Sequence, residues 1–178
     1  MKYIIGITGK KKSGKDEVCK CLFDIYKNKV QRIGFADALK EEVSKGCGVP
    51  VEYIELHKDV FRSALQWWGT DFRRNLFRTD YWIIELKKRV KQCPAELIVI
   101  PDVRFVNEAK ALVEELGATI IKVVRPNASS TIDMHQSETE MDEIQYDVII
   151  NNDKSLKELR SKTVEAIKQL NSYVYTTE

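Results

Sequence analysis

Near the amino terminus the chain carries GKKKSGK, residues 9–15, two glycines five positions apart and a closing lysine. Residue types at this spacing hold phosphate. Gly9 and Gly14 reach backbone conformations closed to other residues, so successive N–H groups can turn inward onto phosphate oxygens. A helix starting after the loop would offer the same oxygens its positive N-terminal end. Lys15 would reach the β- and γ-phosphates of a nucleotide as a point charge. Lys12 and Ser13 complete the loop. Asp16 stands where a hydroxyl residue ordinarily ligates Mg²⁺. A carboxylate is also a hard oxygen ligand, directly or through water; equally, it could simply favour the helix N-terminus. The residues alone leave both readings open.

Such a loop works only between a buried strand and an amphipathic helix. The run Lys2–Thr8 predicts the strand, and Val18, Leu22, Ile25 and Tyr26 predict a helix over Asp16–Tyr26. A second strand is expected at Val30–Phe35, then a helix over Asp37–Lys45 stopped by Gly46 and Gly48. Residues 51–92 read as mostly helical, best over Asp59–Leu76 and Asp80–Val90, with Trp82, Ile83, Leu86 and Val90 on one apolar face. ELIVIPD (96–102), ATIIKVV (118–124) and YDVII (146–150) predict three further strands. A helix from Val106 to Leu116, closed by Gly117, lies between the first two. Ser155 and Glu158 form a capping-box pattern before the last helix. Residues 127–142 are polar and aperiodic. Strand–helix alternation predicts an α/β fold, a parallel sheet with helices on both faces and ligands beyond the strands' carboxyl ends. The segments 51–92 and 125–142 interrupt that rhythm as insertions.

Length and composition narrow the function classes. A chain of 178 residues suggests one domain, residues 1–178. The net charge of +2 argues against a nucleic-acid partner, which wants a strongly basic face. The local clusters, Lys10 to Lys12 with Lys15 and Arg73, Arg74 and Arg78, suit small phosphate-bearing ligands instead. Cys19, Cys21, Cys47 and Cys93 match no zinc spacing and read as reduced packing thiols. No signal-peptide core and no run near the ~20 apolar residues of a membrane span occurs, so the expectation is a cytoplasmic protein without a membrane partner.

SGKDE, FADALK (35–40), LQWWGTDFRRNLFRTDYW (65–82), LIVIPDVRFVNEAKALVEELGATIIKVVRP (97–126), HQSE (135–138) and VIINNDKSLKEL (148–159) occur in this order. Together they resemble the bacteriophage deoxynucleoside monophosphate kinases, a branch of the P-loop nucleoside monophosphate kinase superfamily. Aspartate after the loop lysine is itself a feature of that family. The resemblance implies five parallel strands in the order 2-3-1-4-5 flanked by helices, with 51–92 as a helical acceptor-binding insertion and 125–142 as a lid. It implies transfer of the γ-phosphoryl of ATP to a deoxynucleoside monophosphate, with Mg²⁺, in the host cytoplasm if the protein is phage-encoded, and it is compatible with a homodimer. Gly9, Lys12, Ser13, Gly14, Lys15 and Asp16 match the donor side, and Asn152 and Asp153 the adenine end, although Lys154 replaces a frequent glycine. Asp37, Lys40, Gln66, Thr70 and Arg74, with Gly69 and Asp71, match the acceptor side. Trp82 would stack on the acceptor base or pack in the core. Asp102 matches a carboxylate that holds the magnesium shell together with Asp16. Arg104 and Arg125 join Lys15 and Arg74 as catalytic cations, and His135, Ser137 and Glu138 fall in the lid.

Three other readings compete. One is a superfamily kinase for another acceptor, such as dephospho-coenzyme A or phosphomevalonate. Another is a GTPase-like switch, which lacks its guanine motif because NKVQ (28–31) has no aspartate. The last is a nucleic-acid-binding ATPase, disfavoured by the charge balance.

Overall fold

In a computed structural model, residues 2–126 and 136–175 are described, the side chains of Ser137, Glu138 and 171–175 excepted. His135 and most of the polar stretch before it lie outside them. In chain order the elements are β1 (Tyr3–Thr8), α1 (Lys15–Tyr26), β2 (Val30–Arg32), α2 (Phe35–Cys47), α3 (Val51–Leu56), α4 (Lys58–Gln66), a π-helical segment (Trp67–Phe77), α5 (Tyr81–Gln92), β3 (Leu97–Ile100), α6 (Val106–Leu116), β4 (Thr119–Val124), α7 (Gln136–Thr139), β5 (Val148–Asn151) and α8 (Leu156–Tyr175). They form two compact units, Met1–Arg32 with Pro94–Glu178, and Ile33–Cys93. Among the described residues no helix is long and apolar enough to cross a membrane.

The first unit holds the sheet, in the order β2-β3-β1-β4-β5. Every pairing is parallel; Ile5 stands opposite Val99, Ile7 opposite Ile121 and Val123 opposite Ile150. The unbroken apolar runs explain this arrangement, because a parallel strand is covered on both faces. All four residues of β3 are buried, as are five of six in β1. Val18, Cys19 and Leu22 of α1 join Leu159, Ala166 and Ile167 of α8 in the core over the sheet. Because the strands run one way, their carboxyl ends share one edge. Thr8, Arg32, Ile100, Val124 and Asn151 end there.

The second unit is helical. Ala38, Val43, Ile54, Ile83, Leu86 and Val90 are buried in it, and Arg89 of α5 grips Glu41 of α2 with two bonds of 2.9 and 2.6 Å. Three local expectations change here and at its border. β2 ends at Arg32, and Phe35 already begins α2, because the Gly34 N–H donates to Asp37 Oδ2 at 2.7 Å and draws the chain into the helix. α2 runs through Gly46, where a Cβ would stand 3.5 Å from the Trp68 ring; the stop is Gly48, left-handed at φ 67. The single helix expected over Asp59–Leu76 is instead α4 continued by the π-helical segment.

Candidate active site

The loop after β1 turns through three left-handed residues, Gly9 at φ 140, Lys12 at φ 64 and Gly14 at φ 107. Space forbids side chains at both glycines as well. A Cβ on Gly9 would lie 2.3 Å from the Val123 carbonyl oxygen, and one on Gly14 2.5 Å from Asn152 Nδ2. The Lys15 ammonium folds back and donates to the Gly9 carbonyl and, at 2.8 Å, to that of Lys10. Thr8 and Ser13 bury hydroxyls that have no hydrogen-bond partner among the described residues. Left-handed residues in such a turn favour a concave face of N–H groups; the Ser13 N–H closes the turn on the Lys10 carbonyl at 3.1 Å, and the N-terminus of α1 follows directly.

Asn152 closes on this loop from the end of β5. It is buried, its Nδ2 donates to the Ser13 carbonyl at 2.9 Å, and its main-chain N–H donates to the Val124 carbonyl at 2.7 Å. Its side chain thus ties the end of β5 to the loop after β1. Asp153 is exposed and bonded to Lys162 at 2.7 Å, which keeps its carboxyl below the usual range.

Asp16, exposed in the first turn of α1, and Asp102, half-buried in the turn after β3, act on the same thiol. Burial above all, then Asp16 and Asp102, push Cys19 up to about 12, against Arg32 and Lys15. A cavity of about 410 Å³ opens beside α1, lined by Asp16, Cys19, Lys20, Arg32 and Pro101 among others. Arg32 was not among the expected residues. Reading β2 as running on to Phe35 hid its place at the strand's carboxyl end. Arg104 is half-buried; its N–H and that of Phe105 both donate to the buried Glu108 carboxylate, at 3.0 and 3.2 Å. Arg125 is exposed just beyond β4.

In the second unit Asp37 caps α2, as above. Lys40 is buried and its ammonium bonds Glu55, which also takes Lys58 at 2.6 Å. Gln66 is half-buried and Asp71 exposed. Thr70 and Arg74 are buried, and Arg74 Nη1 donates to the Thr79 carbonyl at 3.1 Å. Trp82 is 5% exposed, and its indole N–H donates to the Gly69 carbonyl at 2.8 Å. Of its two expected roles the core one matches this placement; the exposed tryptophan is Trp67.

The sequence profile of the deoxynucleotide monophosphate kinases matches residues 51–163, more than half of the chain. The chain belongs to the deoxynucleotide monophosphate kinase family. An Acanthamoeba polyphaga mimivirus protein assigned by name to this family is 31% identical over 92% of the chain and 95% of its own length. The deoxynucleotide monophosphate kinases of Escherichia phage RB69 and Enterobacteria phage T4 are 36% and 34% identical over 57% and 61% of the chain, which spans 42% and 46% of their lengths. In fold the chain is similar to a gluconokinase from Sinorhizobium meliloti 1021, with TM-score 0.58 and 14% identity over 99% of this chain and 97% of that one. A Thermus thermophilus protein gives 0.51 and 18% over 94% and 97%. These likenesses agree in fold with the 2-3-1-4-5 sheet. Membership of the family makes this chain a phosphotransferase.

The part of the kinase matched by the family profile includes Glu42's partners Trp68, Arg73 and Tyr81. Burial raises the Glu42 carboxyl, but bonds from Tyr81, Trp68 and Arg73 outweigh it and hold the group below its ordinary value. Burial likewise raises Glu55, and Lys40 and Lys58 more than reverse it. A carboxyl depressed on folding stabilises the native state above its unfolded value, and the contribution is lost as pH falls through the folded one. Thermal stability should therefore fall progressively below about pH 4.5, the ordinary value for these groups. Glu42→Gln should be less stable at pH 7 and show a shallower acid loss. An acid profile parallel to the wild type would remove Glu42 from the account.

Proposed function

We propose that the chain transfers the γ-phosphoryl of ATP to a deoxynucleoside monophosphate, giving the diphosphate. The observation that carries this reading is the family match from residue 51 to 163, joined to a preceding loop built for phosphate. The amides of Gly9, Lys12 and Gly14 hold the donor's β- and γ-phosphates, in a loop that Ser13 shapes by donating its own N–H to the Lys10 carbonyl at 3.1 Å. Lys15 leaves the carbonyls of Gly9 and Lys10 for those oxygens. Asn152 keeps the loop in shape, and Asp153 lies at the adenine end. An oxygen of the acceptor phosphate attacks the γ-phosphorus, the bond to the β–γ bridging oxygen breaks, and ADP leaves. The protein's part is alignment and charge neutralisation.

Mg²⁺ fits the donor set. Among the described residues no group of three or more histidine, cysteine or acidic side chains could hold a metal by itself. Mg²⁺ is commonly bound through one or two carboxylates, waters and substrate phosphates, and Asp16 and Asp102 supply that pair. When bound it neutralises the phosphate oxygens. Arg74 meets the acceptor phosphate and the moving group, helped by Arg104 and Arg125. Gln66 and Thr70 line the acceptor, and Lys40, balanced by Glu55, lends its charge. Residues 125–142 act as the lid. The same reading has the enzyme working in the cytoplasm on nucleotides, not nucleic acid, as a monomer or homodimer.

ADP release with ATP, Mg²⁺ and each of dAMP, dGMP, dCMP, dTMP and their ribose counterparts tests it. Turnover of at least one deoxynucleotide is expected. Turnover of none, with dephospho-coenzyme A or phosphomevalonate converted instead, would replace the acceptor assignment.

A further inference from the structure

Three donors converge on the Glu42 carboxylate in α2. The Trp68 indole N–H gives to Oε2 at 2.8 Å, Arg73 Nε gives to the same oxygen at 2.7 Å, and the Tyr81 hydroxyl gives to Oε1. Four rings surround the Arg73 guanidinium, with centroids at 4.8 Å for Tyr81, 5.3 Å for Phe72, 5.8 Å for Phe77 and 6.0 Å for Trp68. Each such face attracts the cation, the more so away from water. Trp68, Phe72, Arg73 and Phe77 all belong to the π-helical segment.

That segment is eleven residues long. The π-helix is rare and normally lasts a single turn, frequently at functional sites. A run of this length needs its shape held from outside, and α2 and α5 hold it. Besides the Glu42 clamp, Leu39 of α2 sits so close to Gly69 that a Cβ there would stand 2.8 Å from its Cδ2. The Trp82 indole of α5 holds the Gly69 carbonyl. Within the segment two neighbouring arginines part company: Arg73 enters the clamp, while Arg74 is 5% exposed and bonded to Thr79. Arg78 is paired at the surface with Asp80, at 2.6 and 2.8 Å.

We propose that Glu42 is a positioning residue: through Arg73, Trp68 and Tyr81 it fixes the wide helical turn and so aims Arg74 at the acceptor phosphate. This rests on the kinase reading above and assigns its arginines. Arg73 holds the segment, Arg78 braces the turn before α5, and Arg74 serves the substrate. Glu42 itself touches no nucleotide.

Steady-state kinetics of Glu42→Gln, with the best acceptor and ATP–Mg²⁺, tests the assignment. The substitution keeps size and an acceptor oxygen but removes the charge facing Arg73. The KM for the acceptor should rise by about tenfold, the scale of a small misplacement of a substrate-holding group, while the KM for ATP stays level. Tyr81→Phe, which removes one donor and keeps the ring beside Arg73, should shift the acceptor KM the same way by less, and it carries the test if Glu42→Gln does not fold. An unchanged acceptor KM, or equal movement of both KM values, overturns the proposal. Hydrogen exchange separates this failure from failure of the kinase reading. Even without deoxynucleotide turnover, faster exchange confined to residues 67–77 in Glu42→Gln upholds the clamp, and unaltered exchange there sinks it.

Discussion

Lys15→Ala is expected to lose on the order of 10²–10³-fold in kcat/KM, the cost of removing one preorganised group from developing transition-state charge. Its melting temperature should stay near that of the parent. The side chain is half-buried, and its ammonium donates to carbonyls of its own loop, those of Gly9 and Lys10. The loss should appear in kcat as well as in the KM for ATP, because the lysine must follow the γ-phosphoryl and not merely bind it. Lys15→Arg should rescue poorly, since a planar fork cannot replace a compact point charge beneath two phosphates. A Lys15→Ala enzyme with parental turnover would defeat the mechanism outright.

Gly9→Ala should damage the fold badly for a single added methyl group. The residue sits at φ 140, and the new Cβ would meet the Val123 carbonyl oxygen at 2.3 Å. That oxygen is main chain in β4, the neighbour of β1, and cannot step aside without moving the sheet. Strain of this kind costs about 3 kcal/mol, or roughly 6–12 °C in melting temperature for a chain of this size. Gly48→Ala is the internal control. It too has a positive φ, 67, but nothing lies within 4 Å of the added carbon. It should cost only about 1 kcal/mol. Calorimetry on the pair separates conformational strain from collision, and ATP binding should fail in the first variant and persist in the second. Equal stability of the two variants would mean that the loop does not turn as described.

How much of this could be read from the chain depends on how far apart the interacting residues lie. The phosphate loop is a local object: its handedness is set by residues 9, 12 and 14, so two glycines and a lysine announce it. The strands are nearly as legible, because buried parallel strands need unbroken apolar runs. Gly117 also stops its helix as expected, at φ 63. Gly46 misled because it looks like a stop signal, yet it lies inside α2 with a helical backbone, and the chain turns left-handed only at Gly48. The family resemblance places Asn152 at the adenine end; that its amide spans 139 positions to the Ser13 carbonyl is visible only in the fold.

Sequence alone determined the α/β rhythm, the phosphate loop with Lys15 at its end, and, through matching blocks, the kinase family. These follow from backbone preference and from apolar periodicity, which act within a few residues. Tertiary structure decided which of the clustered arginines is enclosed, that Trp82 is core, and that residues 67–77 coil as a wide helix. Those placements go with contacts between separated residues: Trp82 reaches Gly69 across 13 positions, and Glu42 meets Trp68, Arg73 and Tyr81 across 26, 31 and 39. Side-chain bonds over such separations exist only once the helices have packed, so no local pattern can carry them.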